Sequence, residues 1–218
     1  AVITASYGPV VQNVTVTVAD GRFWYSLGNG LGNGLDNNWY LDGNNASVVS
    51  SDGNKTTVQM GSGYRGDLWL ARSGKGKIVN VTPADYRYFA IKVGFKSQLV
   101  PGKNKPNGCI KLEIFDDGIK KIGPEYFGTG GDANNRYEIL GASEISTTEP
   151  NVLYYDLQSK YKTVTPTDWN QVFDLVQCKF VIADFPETAQ TYDLYWIRSF
   201  KSIEELQAFV DSENNTNE

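Results

Sequence analysis

The segment Tyr86-Arg-Tyr-Phe-Ala-Ile-Lys-Val-Gly-Phe95 decides the fold class. Within it, Phe89, Ile91 and Val93 recur at every second position, so an extended chain places the three side chains on one face. An apolar face of this kind is stable only when its sheet packs against another layer. We therefore predict a core β-strand here, with these three side chains in the interior.

Further strand-like segments lie on both sides of this strand, separated by clusters of Gly, Asn, Asp and Pro. They cover residues 13–18, 22–25, 46–50, 56–60, 67–72, 77–81, 109–115, 136–140, 152–157, 175–183 and 192–200. No long helical pattern alternates with them, which argues against a parallel α/β fold. The pattern predicts an all-β protein, an antiparallel β-sandwich or jelly roll, with residues 13–210 as one domain. Residues 1–12 are predicted to be a linker or an edge segment.

One short helix is predicted near the C-terminal end of the sequence. Ser202 is a good N-cap, and Glu205 three residues later completes a capping box. The apolar residues that follow fall on one helical face: Ile203, Leu206, Phe209 and Val210. Residues 211–218 are acidic and polar, and they are predicted to form a disordered tail.

The composition excludes several classes of protein. The 218 residues include 20 Lys and Arg against 25 Asp and Glu, so the net charge of −5 argues against a nucleic-acid binder. The absence of histidine removes Ser-His-Asp and Cys-His triads and nearly all catalytic zinc sites. No apolar run approaches the roughly 18 residues of a transmembrane helix. The chain begins at Ala1, and we expect it to be a mature or excised piece.

The residues indicate no cofactor and no catalytic motif. The acidic side chains form no motif that would set two carboxylates against one glycosidic bond. The Asp- and Asn-rich loops at 36–38, 42–45, 52–54 and 132–135 are typical of turns, although a structural Ca²⁺ stays open. Cys109 and Cys178 lie in different predicted strands, and either a disulfide or two buried thiols fits them.

Aromatic residues are the most informative feature for function. The chain contains 5 Trp, 13 Tyr and 10 Phe. Sugar rings stack on exposed aromatic faces, and neighbouring polar side chains bind their hydroxyl groups. The candidates for ligand contact are Trp39, Tyr40, Trp69, Tyr64 and Trp24, together with the polar residues Asn38, Asp42 and Arg72.

Local context selects these candidates. Trp39 and Tyr40 follow a repeated Leu-Gly-Asn-Gly motif (27–34), so we expect the whole stretch 27–45 to be irregular and exposed. Tyr64 lies in a Gly-rich turn, and Trp69 alternates with the apolar residues on either side of it. Trp24 and its neighbour point to opposite strand faces. Trp196, in contrast, is in phase with Leu194, and we predict that both belong to the core.

Four segments resemble a known family in their sequence and order: Tyr86-Arg-Tyr-Phe-Ala-Ile-Lys-Val, Val152-Leu-Tyr-Tyr-Asp-Leu, Phe180-Val-Ile-Ala-Asp and Tyr195-Trp-Ile-Arg-Ser-Phe-Lys-Ser-Ile-Glu-Glu-Leu. Together they span about residues 60–210 and resemble the non-catalytic glycan-binding β-sandwich domains of gut Bacteroidetes. Those domains occur on outer-membrane surface lipoproteins and within glycanases of polysaccharide-utilisation systems. The sequence is also similar, more distantly, to galactose-binding-like jelly-roll carbohydrate-binding modules.

The resemblance implies that the domain captures a polysaccharide such as a xylan, glucan or mannan and performs no catalysis. It implies an extracellular location at the outer-membrane surface, with any membrane anchor outside this segment, and a monomer as the working state. No binding residue is implied, because the stretch 26–45 matches no pattern of the family. Two alternatives stay open: a jelly-roll glycoside hydrolase or lyase, and a protein-binding adhesin module.

Overall fold

The computed structural model describes residues 2–7, 10–15, 22–31, 39–42, 46–61, 65–70, 79–81, 85–100, 110–116, 137–156, 173–183, 185–186 and 189–215. These residues form fourteen strands and one helix: β1 (Val2–Tyr7), β2 (Val10–Thr15), β3 (Trp24–Ser26), β4 (Trp39–Asp42), β5 (Ala46–Ser51), β6 (Thr56–Met60), β7 (Arg65–Leu70), β8 (Val79–Val81), β9 (Tyr88–Phe95), β10 (Ile110–Asp116), β11 (Tyr137–Ile139), β12 (Asn151–Asp156), β13 (Phe173–Ala183), β14 (Thr191–Phe200) and α1 (Ile203–Asn215).

The larger sheet has seven antiparallel strands. Six follow the order β11-β12-β9-β14-β6-β5, and β3 also pairs with β14. The long strand β14 pairs with β9 along one side. On its other side, residues 191–194 pair with β6 and residues 196–198 pair with β3. Strand β14 is therefore a central strand of this sheet, with paired strands along both of its edges.

The second sheet has five antiparallel strands in the order β10-β13-β7-β4, with β8 paired to one end of β13. Strands β1 and β2 form a separate antiparallel hairpin. Most of this hairpin lies in residues 1–12, which were predicted to be a linker or an edge segment. In the described part of the chain, this hairpin pairs with neither of the two large sheets.

One hydrophobic core joins the two large sheets. Leu68 and Phe180 reach it from the five-stranded sheet, and Phe89, Ile91 and Val93 reach it from β9. Burial of apolar side chains from both sheets is the main force that holds the layers together. The prediction of an all-β antiparallel sandwich with one short C-terminal helix is confirmed, as is the interior position of the three β9 side chains.

Helix α1 covers part of the outer face of the seven-stranded sheet. Leu206 is buried there against a second cluster that includes Trp196 and Phe200. The helix continues to Asn215, so the predicted disordered tail is wrong for residues 211–215, while 216–218 lie outside the described residues. Within the described ranges, no helix is long and apolar enough to cross a membrane.

A β-bulge in β14 moves one tryptophan to the face opposite the one that simple alternation predicts. The pairing of β14 with β9 shifts register between Leu194 and Trp196. Leu194 and Ile197 therefore face the main core, while Trp196 lies in the outer cluster under α1. Trp196 is buried as predicted, but the expectation that it shares a core with Leu194 is wrong.

The Gly- and Asn-rich stretch after β3 also differs from its prediction. Leu27 and Trp39 are both fully buried, and Trp39 lies in a short strand rather than in an exposed loop. A Cβ atom on Gly28 would collide with the carbonyl of Gly53, whose amide donates to the Gly28 carbonyl at 3.0 Å. At this position glycine therefore serves close backbone packing, as well as the loop flexibility expected from composition.

Candidate functional site

A groove on the outer face of the seven-stranded sheet is the candidate site. Its volume is about 760 Å³, and its floor is formed by Lys92 of β9, Val152 of β12 and Tyr195 of β14. One wall consists of the connection between β11 and β12, mainly residues 139–142 and 149–151. The other wall is the flank of α1 that carries Gln207, Val210, Asp211 and Asn214. Ligand sites commonly have volumes of about 300–1,000 Å³.

The bulge in β14 places Tyr195 in the groove floor. Because it is the extra residue of the bulge, Tyr195 lies on the outer face together with Trp196. Its carbonyl accepts a hydrogen bond from the Leu27 amide at 2.8 Å, which fixes the irregular backbone. Burial is the main cause that raises the pKa of Tyr195, so the hydroxyl stays protonated at neutral pH and can both donate and accept.

The wall formed by the β11–β12 connection is held in place by one buried amide side chain. Asn151 accepts a hydrogen bond from the Ser146 amide at 2.7 Å and donates to the Ser146 carbonyl at 2.9 Å. The Ser146 hydroxyl in turn accepts from the Glu149 amide at 3.0 Å. These contacts order the wall in the absence of a ligand, which lowers the entropy cost of binding one.

The opposite wall is anchored at the C-terminal end of α1. Glu213 Oε2 accepts a hydrogen bond from Lys92 Nζ at 3.1 Å and another from the Trp196 indole at 3.1 Å. Glu213 lies in the segment predicted to be disordered, and these tertiary contacts explain why the helix extends that far. On the groove side, the Gln207 amide donates to Asp211 at 2.8 Å.

The groove presents hydrogen-bonding groups around one aromatic ring. Glu149 and Asp211 offer carboxylate acceptors from opposite walls, and Gln207 and Asn214 offer amides that can donate and accept. The half-buried ring of Tyr195 supplies an apolar surface between them. Such a site can bind a neutral, hydroxyl-rich molecule with an apolar ring face.

A buried ion cluster lies beside Tyr195 on the same sheet face. Asp193 is 1% exposed and accepts from Lys55 at 2.8 Å and from the Thr57 hydroxyl at 2.7 Å, with Lys96 at 3.1 Å. Burial of the carboxyl raises its pKa, but the hydrogen bonds from Lys55, Thr57 and Lys96 outweigh that effect, so the pKa of Asp193 lies below its ordinary value. The cluster fixes the sheet next to the groove.

The structure removes Trp39 from the predicted binding residues. Its side chain is 0% exposed and packs against Tyr25 and Phe180, with ring centroids 6.0 Å and 5.6 Å away. The prediction that Trp39 presents a stacking surface is therefore wrong. The apolar indole has more to gain from the core than from solvent, and four residues of strand are enough to place it there.

Tyr40 and Trp69 are brought together on the outer face of the five-stranded sheet. They are directly opposite in the β4–β7 register, and Lys179 is the next neighbour on β13. Trp69 is only 8% exposed, with Lys179 Nζ 5.0 Å from its ring and 3.4 Å from the Asp67 carboxylate. The structure brings these two candidates together, but Trp69 offers little open ring surface.

Among the predicted site residues whose side chains the structure describes, Trp24 is the most open, at 40% exposure. It lies on the outer face of the seven-stranded sheet, opposite to the face that carries Tyr40 and Trp69, while Trp39 lies in the core between the sheets. Tyr64, Asn38 and Arg72 lie outside the described residues. Asp42 is the last residue of β4, and its backbone lies opposite Asp67 of β7. The side chain of Asp42 lies outside the described part of the structure.

The structure describes part of the segments that the sequence offers for a metal ion or a disulfide. The described ranges contain no group of three or more acidic or cysteine side chains that could hold a metal ion. The loops at 36–38, 43–45 and 132–135 and Cys109 lie outside those ranges. At Asp52 the predicted turn is confirmed, since its carboxylate accepts from the amides of Asn54 and Lys55, both at 2.9 Å.

Sequence reasoning missed Tyr195 and the two walls of the groove. The pair Tyr195-Trp196 carries no local signal of the bulge, because the adjacent aromatics Tyr154 and Tyr155 of β12 alternate between the two faces in regular register. The walls gave no local signal either, since they combine a connection near residue 146 with a helix more than fifty positions later.

A family model described as a domain of unknown function (DUF4979) matches residues 30–206. The match covers most of the chain and includes the groove floor and the β11–β12 wall, whereas the α1 residues of the other wall follow it. No curated protein matches the sequence.

Proposed function

We propose that the chain, which belongs to the DUF4979 family, is a non-catalytic carbohydrate-binding domain. In this proposal the groove between α1 and the β11–β12 connection holds part of a polysaccharide chain, and no bond is made or broken. Capture takes place at the outer surface of a cell or beside a linked glycanase, with any membrane anchor elsewhere in the full protein. The working state is a monomer, because the groove is complete within one chain.

The groove itself is the observation that supports this proposal. It sets the ring of Tyr195 among carboxylate and amide side chains, and both walls are ordered before any ligand arrives. Sugars need this combination, since their C–H faces stack on an aromatic ring while their hydroxyls exchange hydrogen bonds with polar groups. A protein partner, in contrast, favours a broad surface with an apolar centre.

Binding is favoured over hydrolysis by the surroundings of the two groove carboxylates. A glycosidase needs two carboxylates on either side of the scissile bond, one of them acting as a general acid in an apolar environment. Glu149 and Asp211 face the groove from opposite walls, but both are exposed to solvent. They are suited to accept hydrogen bonds from sugar hydroxyls.

Affinity gel electrophoresis and calorimetry with plant, algal and host polysaccharides test the proposal. We expect one glycan class to bind, and Tyr195→Ala to weaken that binding by about tenfold or more, because a stacking platform is a hot spot. Tyr195→Phe keeps the ring and should weaken glycan binding by about threefold, as expected for the loss of one hydrogen bond. Tyr154→Ala is the matched control, since Tyr154 is a half-buried tyrosine of the same face that does not line the groove.

Two results would overturn the proposal. One is that no glycan binds, or that Tyr195→Ala and Tyr154→Ala weaken binding equally although both variants stay folded by circular dichroism. The other is the release of reducing ends from a bound glycan by the wild type, with loss of that activity in Glu149→Gln or Asp211→Asn. The second result identifies an enzyme.

A further inference from the structure

A cationic aromatic cluster lies on the other flank of α1. Trp24 of β3 is directly opposite Arg198 of β14 in the sheet register. The guanidinium carbon of Arg198 lies 4.5 Å from the centre of the Trp24 ring, and that of Arg22 lies 3.7 Å from it. The Trp24 ring also meets Phe200 and Phe209 edge to face, with centroids 5.6 Å and 5.2 Å away.

This cluster is separate from the groove. Phe209 and Glu213 face it from α1, while the groove is lined by Gln207, Asp211 and their neighbours around the helix. The buried side chain of Leu206 lies between these two flanks of the helix. A ligand on one flank can therefore bind without occupying the other.

Two like charges meet at the Trp24 ring. Burial lowers the pKa of the Arg198 guanidinium, and the nearby charge of Arg22 lowers it further, whereas Glu213 acts in the opposite sense. Glu213 is 3.9 Å from Arg198 and is also bound by Lys92, so one carboxylate serves two cations. Within the part of the chain that the structure describes, Arg198 donates a long bond of 3.3 Å to Ser26, and its buried Nε has no hydrogen-bond partner.

Such an arrangement costs free energy in the unliganded protein. Repulsion between Arg22 and Arg198 and the poorly satisfied guanidinium of Arg198 both oppose it. An anion that approaches Trp24 would offset the repulsion between the two guanidiniums, because guanidinium N–H groups donate strong hydrogen bonds to a carboxylate or sulfate. Perturbed charged groups cluster at functional sites, and here they lie beside an exposed aromatic ring.

We infer that Trp24, Arg22 and Arg198 form a second binding site, specific for a sugar ring that carries a carboxylate or a sulfate group. The two guanidiniums bind the anionic group. The exposed part of the Trp24 indole supports the apolar face of the ring, and Arg22 lies exposed beside it. The net charge of the whole chain is −5, so this local positive charge is what attracts an acidic ligand.

The test uses ¹⁹F NMR of protein labelled with 5-fluorotryptophan, in which the Trp24 signal is identified by its loss in Trp24→Phe. Three oligosaccharides are titrated: an oligogalacturonate, a sulfated galactan fragment and a neutral β-1,4-galactan fragment. We expect the Trp24 signal to shift with one or both acidic probes but not with the neutral one. We also expect Arg22→Gln to weaken that binding by about tenfold and added salt to weaken it further.

Matched variants and probes give each outcome a meaning. Lys96→Gln removes one positive charge elsewhere on the same sheet face and should leave acidic binding within about twofold of wild type. The inference is overturned if the Trp24 signal does not shift with either acidic probe, or if it shifts equally with the neutral probe. It is also overturned if inorganic sulfate alone binds with the same affinity as the acidic oligosaccharides. Tyr195→Ala separates the two proposals, because we expect it to weaken groove binding by about tenfold or more and to leave the Trp24 response unchanged.

Discussion

At the scale of single residues, Asp193 and Tyr195 show how neighbours on one strand face take different roles. Asp193 is enclosed by Lys55, Lys96 and Thr57, and its hydrogen-bonding capacity is used within the fold. Tyr195 keeps a half-buried ring that lines an open groove. We therefore assign Asp193 to stability and Tyr195 to binding.

Asp193→Asn tests the structural role of the carboxylate. The change keeps the shape of the side chain but removes its charge. Lys55 and Lys96 are partly exposed and can regain water, so we expect a loss of about 1–3 kcal/mol in the free energy of unfolding at neutral pH. Because the folded-state pKa of Asp193 is lowered, its stabilisation is complete above the ordinary value of about 3.9 and disappears as the pH falls through the lowered value.

Urea unfolding of wild type and variant at about pH 7 and about pH 3 measures this difference. The gap between the two proteins should narrow in acid. Asp85→Asn is the control, since Asp85 is exposed and its replacement should change stability by no more than about 0.5 kcal/mol. An equal gap at both pH values would show that the charge of Asp193 contributes nothing.

At the scale of secondary-structure elements, α1 was predictable at its start but not at its end. The Ser202 hydroxyl accepts from the Glu205 amide at 3.2 Å, which confirms the predicted N-cap. The Glu205 carboxylate accepts from the Lys201 amide at 2.7 Å, one residue before the Ser202 amide that a capping box would use. That signal is local, within four residues. The C-terminal end depends on Glu213 and its contacts with distant strands, which no local pattern reports.

Ser202→Ala tests the helix cap. Loss of the hydroxyl leaves the Glu205 amide without its acceptor, and we expect α1 to be destabilised by about 1 kcal/mol. Hydrogen exchange of the α1 amides should accelerate about fivefold, with little change in the core strand β9. Ser212→Ala is the control, because Ser212 is an exposed residue near the C-terminal end of the helix, where its hydroxyl donates to the Phe209 carbonyl and does not cap the first turn. Equal acceleration in both variants would contradict the assignment.

At the scale of the whole molecule, the alternation of apolar residues was enough to predict the sandwich, because each inward position of β9 obeys the two-residue period. Trp39 shows what composition hides. Its strand is four residues long and its neighbours are Gly and Asn, so nothing local distinguishes it from a loop. The groove was beyond sequence reasoning for another reason, since it needs a bulge, a long connection and a helix to meet on one sheet face.

Replacement of Trp39 tests whether one shared core holds both sheets. Trp39 is fully enclosed between side chains of the two sheets, so Trp39→Ala should lower the free energy of unfolding by about 3–5 kcal/mol. Trp39→Phe should lower it by about 1–2 kcal/mol, and this variant replaces the alanine variant if the latter does not fold. Trp24→Ala is the matched control, because Trp24 is 40% exposed and lies outside the shared core, so the loss of its contacts with Phe200 and Phe209 should cost less, about 1–3 kcal/mol. Urea unfolding followed by circular dichroism and by tryptophan fluorescence should give one coincident transition in each protein. Separate transitions, or a smaller loss for Trp39→Ala than for Trp24→Ala, would mean that the two sheets do not unfold as one unit.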